Sequence, residues 1–152
     1  MSQPHAVMTF NDFTKAAPSV VSAFISVGTA AEESGLEKDL IELIKIRVSQ
    51  LNGCAFCLQY HLVLARGLEM PSAKLDLVAA WRDAACYSDR ERAALAWAEA
   101  LTALSDHHAM ADALAEVQRH FTPAEIPFLA SSVAVINAWN RLGAGLSFPP
   151  LG

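Results

Sequence analysis

The stretch Glu42-Leu-Ile-Lys-Ile-Arg-Val-Ser-Gln-Leu-Asn-Gly-Cys54-Ala-Phe-Cys57-Leu-Gln-Tyr-His61 decides how this chain is read. Leu40, Leu43, Ile44, Val48 and Leu51 recur at helical spacing, so Leu36–Leu51 is expected to form an amphipathic helix. Asn52-Gly53 breaks that pattern. A second helix is expected from Gly53 to Leu68, stopping before Pro71, with Asn52 as its cap. Each helical residue advances about 100°, which brings Cys54, Cys57 and His61 within an arc of about 60°.

That shared face points to redox chemistry at sulfur. Both thiols fall in the first two turns, where the helix dipole and free amides favour thiolate over thiol. With no Lys or Arg between Leu51 and Ala65, activation must come from the helix start and from His61. Cys57 is one turn from His61 and can pass its proton there. Cys57 is therefore expected to attack an electrophile, with Cys54 resolving the product as a disulfide. Two rival readings stay open. Both cysteines could be small core hydrophobes. Alternatively Cys54, Cys57, His61 and Glu42 could ligate zinc, although the chain has no second CxxC and no HxxxH pair.

Outward from this stretch, helix punctuation is dense and alternating strand patterns are scarce. Residues 1–11 read as an arm. A helix is expected over Thr14–Ser34, with a break near Gly28. After the central pair, Pro71-Ser72 opens a short helix to Cys86. Ser88-x-x-Glu91 is a capping box for a helix over Asp89–Leu104. Another helix covers Ala111–His120. Thr122-Pro123-x-Glu125 combines a cap, an early proline and a reciprocal glutamate, starting a long apolar helix to Leu146. The tail 147–152 is irregular. The expectation is a single all-α domain, 1–152, of six to seven helices.

The 152 residues are enough to bury a core without staples. Charged residues make up 18% of the chain, against about 25% in ordinary soluble domains, so apolar surface is expected to be covered by further copies of the chain. The net charge of −5, without a Lys/Arg cluster, argues against nucleic acid as a partner. No apolar run reaches the length of about 20 residues that a spanning helix needs, so no membrane partner is expected. Three cysteines do not make a secreted disulfide framework. A working thiol pair fits a reducing compartment, which places the protein in the cytoplasm. No cofactor is implied.

By pattern alone Glu42 lies opposite the apolar face of its helix, beside Lys38, Lys45 and Ser49, and reads as a solvent-facing ion-pair residue. A resemblance changes that reading. The spacing Glu42-x11-Cys54-Ala-Phe-Cys57-Leu-Gln-Tyr-His61, with Asn52-Gly53 before it and Leu64-Ala65-Arg66-Gly67 after it, resembles the alkylhydroperoxidase AhpD core of the carboxymuconolactone decarboxylase superfamily. Asn137-Ala-Trp-Asn140-Arg141 resembles it more loosely. The resemblance implies an AhpD-like helical core. It also implies a relay in which Glu42 acts through a water on His61, His61 deprotonates Cys57, and Cys54 resolves. A hydroperoxide oxidant, a dithiol reductant such as a lipoylated protein, and a trimer or hexamer are implied as well. Phe56 stands where the family often carries His, Ser or Tyr, so no extra acid is expected and the pocket mouth should be apolar.

The function expected is thus a dithiol peroxidase. The alternatives are a redox-responsive binding or scaffold protein that uses the same disulfide, and an enzyme of the decarboxylase branch, against which the intact CxxC counts. Cys86 and the tryptophans Trp81, Trp97 and Trp139 read as packing residues, and His107-His108 as a solvated turn. His5 and His120 have no evident partner. Asn137, Asn140 and Arg141 read as satisfying helix ends or subunit contacts.

Overall fold

A computed structural model describes residues 8–152. Among these residues the chain is all-helical, with no strand. The elements are α1 (Phe10–Ala16), α2 (Pro18–Glu33), α3 (Lys38–Asn52), α4 (Ala55–Gly67), α5 (Ser72–Leu77), a 3₁₀ turn (Val78–Ala80), α6 (Asp89–Ala103), α7 (His107–His120) and α8 (Ile126–Gly145). The expected arm falls mostly on residues 1–7, as does His5, outside the described residues. None of the described helices is long and apolar enough to cross a membrane.

The architecture is organised around α3, which packs against α4, α6 and α8. Its apolar side chains serve two cores. Ile41, Ile44 and Val48 join Cys54, Cys57, Trp97, Leu129, Val133 and Ile136. Leu43 and Ile46 join Ala65, Leu75, Val78, Trp81 and Leu95. A helix covered on both flanks has little side left for water, so Glu42, Lys45 and Ser49 are buried too. The solvent-facing reading of Glu42 is therefore corrected, because periodicity marks the less apolar side of a helix but not what that side meets.

Four local readings are also corrected. The first helix is two helices: Pro18 disfavours helical backbone at Ala17, whose φ/ψ are −134°/57°, and the chain turns there, not at Gly28. The number of α-helices rises accordingly, to eight among the described residues. The helix after Pro71 ends at Leu77 and passes into a 3₁₀ turn. His107 and His108 form the first turn of α7, because the Asp106 carboxylate accepts from the Ala109 amide at 2.9 Å and caps the helix earlier than expected. His120 does have a partner, Glu116 at 3.1 Å.

The capping boxes hold where they were read. Ser88 and Glu91 exchange side-chain and backbone bonds at the start of α6. Thr122 and Glu125 do the same at 2.7 and 3.3 Å, although the chain makes one more turn before α8 begins. Trp81, Arg47 and Arg82 all donate to the Glu99 carboxylate, at 2.8, 2.7 and 2.6 Å. Burial pushes that carboxyl up, but the three donors outweigh burial and hold it below the usual carboxylate value. The turn after the 3₁₀ segment is thereby pinned to α3 and α6.

Gly53 makes the turn from α3 to α4. Its φ of +67° lies in the left-handed region, where a side chain costs about 1–2 kcal/mol. Its amide bonds the Gln50 carbonyl at 3.3 Å, and the Cys54 amide bonds that of Ser49 at 3.1 Å. This closure reverses the chain within one residue and lays α4 against α3.

Candidate active site

Cys54, not Asn52, caps α4: its sulfur accepts from the Cys57 amide at 3.3 Å. The Asn52 side chain turns away instead and donates to Asn137 at 3.0 Å and Asn140 at 2.9 Å on α8. Asn140 is fully buried and passes the chain of bonds to the Ser49 hydroxyl at 3.0 Å. The looser Asn137–Arg141 motif thus ties the α3–α4 turn to α8, within one chain.

Cys54 and Cys57 are joined as a disulfide with their Cα atoms 5.3 Å apart. Both are buried, at 2% and 5% exposure. They differ in what they face. Cys57 lines a cavity of about 210 Å³, whereas Cys54 is not among its lining residues. Helix α8 closes over both sulfurs. A Cβ on Gly143 would stand 2.7 Å from the Cys54 sulfur and 3.0 Å from that of Cys57. The Cys57 sulfur also lies 3.8 Å from the Trp139 carbonyl oxygen.

Across the α3–α4 pair, His61 Nδ1 meets Glu42 Oε2 at 2.7 Å, with both residues buried. The contact is direct, so no bridging water is required between them. An ionised Glu42 can only accept, so Nδ1 carries the proton and Nε2 is left as the basic nitrogen. Glu42 Oε1 is 3.5 Å from Lys45 Nζ. The ion pair expected between Glu42 and Lys45 does form, but inside the protein, while Lys38 pairs with Glu32 at 3.7 Å. Among the described residues, no three His, Cys, Asp or Glu side chains are grouped to hold a metal ion.

Aromatic rings form much of the cavity wall, alongside the aliphatic Ile25, Leu64, Val135 and Ile136. Phe10 and Phe56 have centroids 5.2 Å apart, Phe24 and Trp139 5.0 Å, and Phe56 and Phe148 5.6 Å. Phe56 therefore supplies apolar surface and no proton, as its sequence position implied. Glu42, Cys57 and His61 all line the same space. Sequence reasoning did not place in this space Lys45, read only as a surface partner of Glu42, the tryptophan carried by α8, read as packing, or Phe10, which falls inside the stretch read as an arm. For Lys45 the available signal was its place at i+3 from Glu42. Cys86 is half-buried against the second core and far in sequence from the pair.

The carboxymuconolactone decarboxylase family model matches residues 18–100. Over 130 residues the chain is 30% identical to the uncharacterized protein YdfG of Bacillus subtilis, covering 86% of this chain and 88% of that one. It is similar to a solved protein of unknown function from Agrobacterium tumefaciens, put forward as the antioxidant defence protein AhpD. That match has 32% identity and a TM-score of 0.87 and covers 95% and 99% of the two chains. The debrominase Bmp8 shares the fold at 20% identity and a TM-score of 0.78, over 91% of this chain and 75% of its own.

The packing of α8 on the sulfurs gives a direct test. At an open helical site, Gly→Ala stabilises by about 1 kcal/mol. Gly28, in mid-α2 with open space around it, should behave so. Overpacking opposes that gain by about 1–3 kcal/mol. Gly143→Ala should therefore lower the urea midpoint of the oxidised protein while Gly28→Ala raises it. A Gly143→Ala protein as stabilised as Gly28→Ala contradicts the contact.

Proposed function

The chain belongs to the carboxymuconolactone decarboxylase family and has its AhpD-like core, and from that premise we propose that it is a thiol-dependent, peroxidase-like oxidoreductase. The observation that carries this reading is the asymmetry of the thiol pair. Cys57 faces the cavity with Glu42 and His61, and Cys54 is bonded to it from behind.

In the proposed cycle, His61 Nε2 takes the Cys57 proton while Glu42 holds Nδ1 and stabilises the imidazolium. The Cys57 thiolate attacks the terminal oxygen of a hydroperoxide. The O–O bond breaks, a sulfenic acid forms on Cys57, and the alkoxide leaves as an alcohol with the proton from His61. The Cys54 thiol then attacks that sulfur, forming the disulfide and releasing water. A dithiol reductant, proposed to be a lipoylated protein, restores both thiols by exchange and is itself oxidised to a disulfide. The buried, aromatic-walled position of Cys57 supports a small organic oxidant over bulk solvent as its encounter partner.

We further propose that the chain works as a homo-oligomer, a trimer or hexamer. Ile25 on α2 is 58% exposed and Val63 on α4 is 53% exposed, with Tyr60 and Leu64 also exposed on α4 and Leu68 exposed just after it. Water-facing apolar side chains on neighbouring helices are what a further copy would cover.

Two measurements follow. With cumene hydroperoxide and dihydrolipoamide, Cys57→Ser should lose turnover by roughly a thousandfold or more, since removing a nucleophile can cost up to about 10⁶. Cys54→Ser should stop after one equivalent, with a sulfenic acid trapped by dimedone. Turnover surviving in Cys57→Ser contradicts the assignment. Slow oxidation with a change of assembly, and no turnover in wild type, supports a redox-responsive binding protein instead. Light scattering on a sizing column should give a multiple of the chain mass; a monomer at working concentration contradicts the oligomer.

A further inference from the structure

Among the described charged groups buried in the cavity wall, Lys45 is the one that makes no hydrogen bond. It lines the cavity and is only 8% exposed. An ammonium carries three donors. Among the described residues, Lys45 Nζ makes no hydrogen bond, and its one charge contact is Glu42 Oε1 at 3.5 Å. That carboxylate is already committed, through its other oxygen, to His61 at 2.7 Å. The commitment deepens when His61 is protonated, since Glu42 then faces two cations. Burying a cation without full partners is unfavourable, and a good site supplies the missing acceptor.

The other polar groups around the cavity are placed differently. Glu32 lines it too, but its side chain is 44% exposed and lies 3.7 Å from Lys38. Thr29 and Tyr60 are exposed. The remaining wall is apolar, with Phe10, Phe24, Phe56, Trp139 and Phe148 interleaved with aliphatic side chains. A volume of about 210 Å³ suits a molecule of one ring with small substituents, since a cavity of about 150 Å³ accepts benzene. The occupant that satisfies both the wall and the ammonium has an apolar, single-ring body and one anionic oxygen group.

We propose that Lys45 is the specificity-determining residue of this cavity, and that it receives the carboxylate of a small aromatic substrate whose reactive group lies at Cys57. This deepens the peroxidase reading and rests on it for the reaction, but the binding stands apart from the chemistry. Lys45 anchors the acidic end while the rings of Phe24, Phe56 and Trp139 hold the body. The protein then selects acidic over neutral aromatic hydroperoxides, mainly through KM.

The test separates binding from turnover. Binding of unreactive 4-isopropylbenzoate and of its neutral amide is measured by calorimetry with wild type, Lys45→Met and Lys45→Arg. Wild type should prefer the carboxylate by about tenfold or more, the scale of one charge-assisted hydrogen bond. Lys45→Met should lose that preference and Lys45→Arg should keep most of it. With cumene hydroperoxide and its para-carboxylate as substrates, the same preference should appear in KM. Carboxylate binding without any peroxide consumption overturns the peroxidase reading and upholds the role of Lys45. Peroxide turnover with equal binding of acid and amide to wild type overturns the role of Lys45, whether or not the variants fold. A carboxylate preference retained in folded Lys45→Met overturns it as well.

Discussion

Glu42 and His61 can meet at 2.7 Å only because α3 is enclosed by other helices. In a surface helix, a glutamate at this position would stay in water and keep its freedom. Here the two flanks of α3 are committed to two apolar cores, and its third side faces α4 across the Gly53 turn. A carboxylate in that place has to find partners inside the protein. It finds the imidazole of α4 and the ammonium of its own helix. The site's polar character follows from that enclosure, since the thiols themselves bring no charge until one is deprotonated.

The disulfide is embedded in the same way. Cys54 caps α4, Gly143 of α8 leaves just enough room above both sulfurs, and Asn52 binds α8 through Asn137 and Asn140. One helix thus reads the position of the thiol pair at several points, and the tryptophan it carries forms part of the cavity wall. Thiol geometry, cavity shape and the α3–α4 turn are therefore one mechanical unit. We infer that this unit gives Cys57 its access to the cavity while keeping Cys54 behind it.

Much of this was legible before any coordinates. The helix pair around Asn52-Gly53, the capping boxes at Ser88 and Thr122, and the placing of Cys57 and His61 on one side of α4 follow from local rules, and local rules govern helices well. The shared face expected for all three residues does not extend to Cys54, which is the extended cap before the helix and stands outside the cavity. Glu42 came only through resemblance, because its burial depends on neighbours far away in sequence. Lys45 was hidden for the same reason: an i,i+3 acid–base pair looks identical on a surface and in a core. Asn52 misled because a good capping residue next to a glycine can equally serve a distant helix. Phe10 was lost because a short helix before Pro18 has too few residues to show a period.

The central claim is that the Glu42–His61 pair activates Cys57. The most direct measurement is the pH dependence of Cys57 alkylation in reduced protein, compared among wild type, His61→Ala and Glu42→Gln, each in a Cys54→Ser background. The account predicts that wild-type Cys57 reacts as a thiolate at lower pH than in either variant, with His61→Ala the more impaired. Identical pH profiles in all three proteins would contradict it.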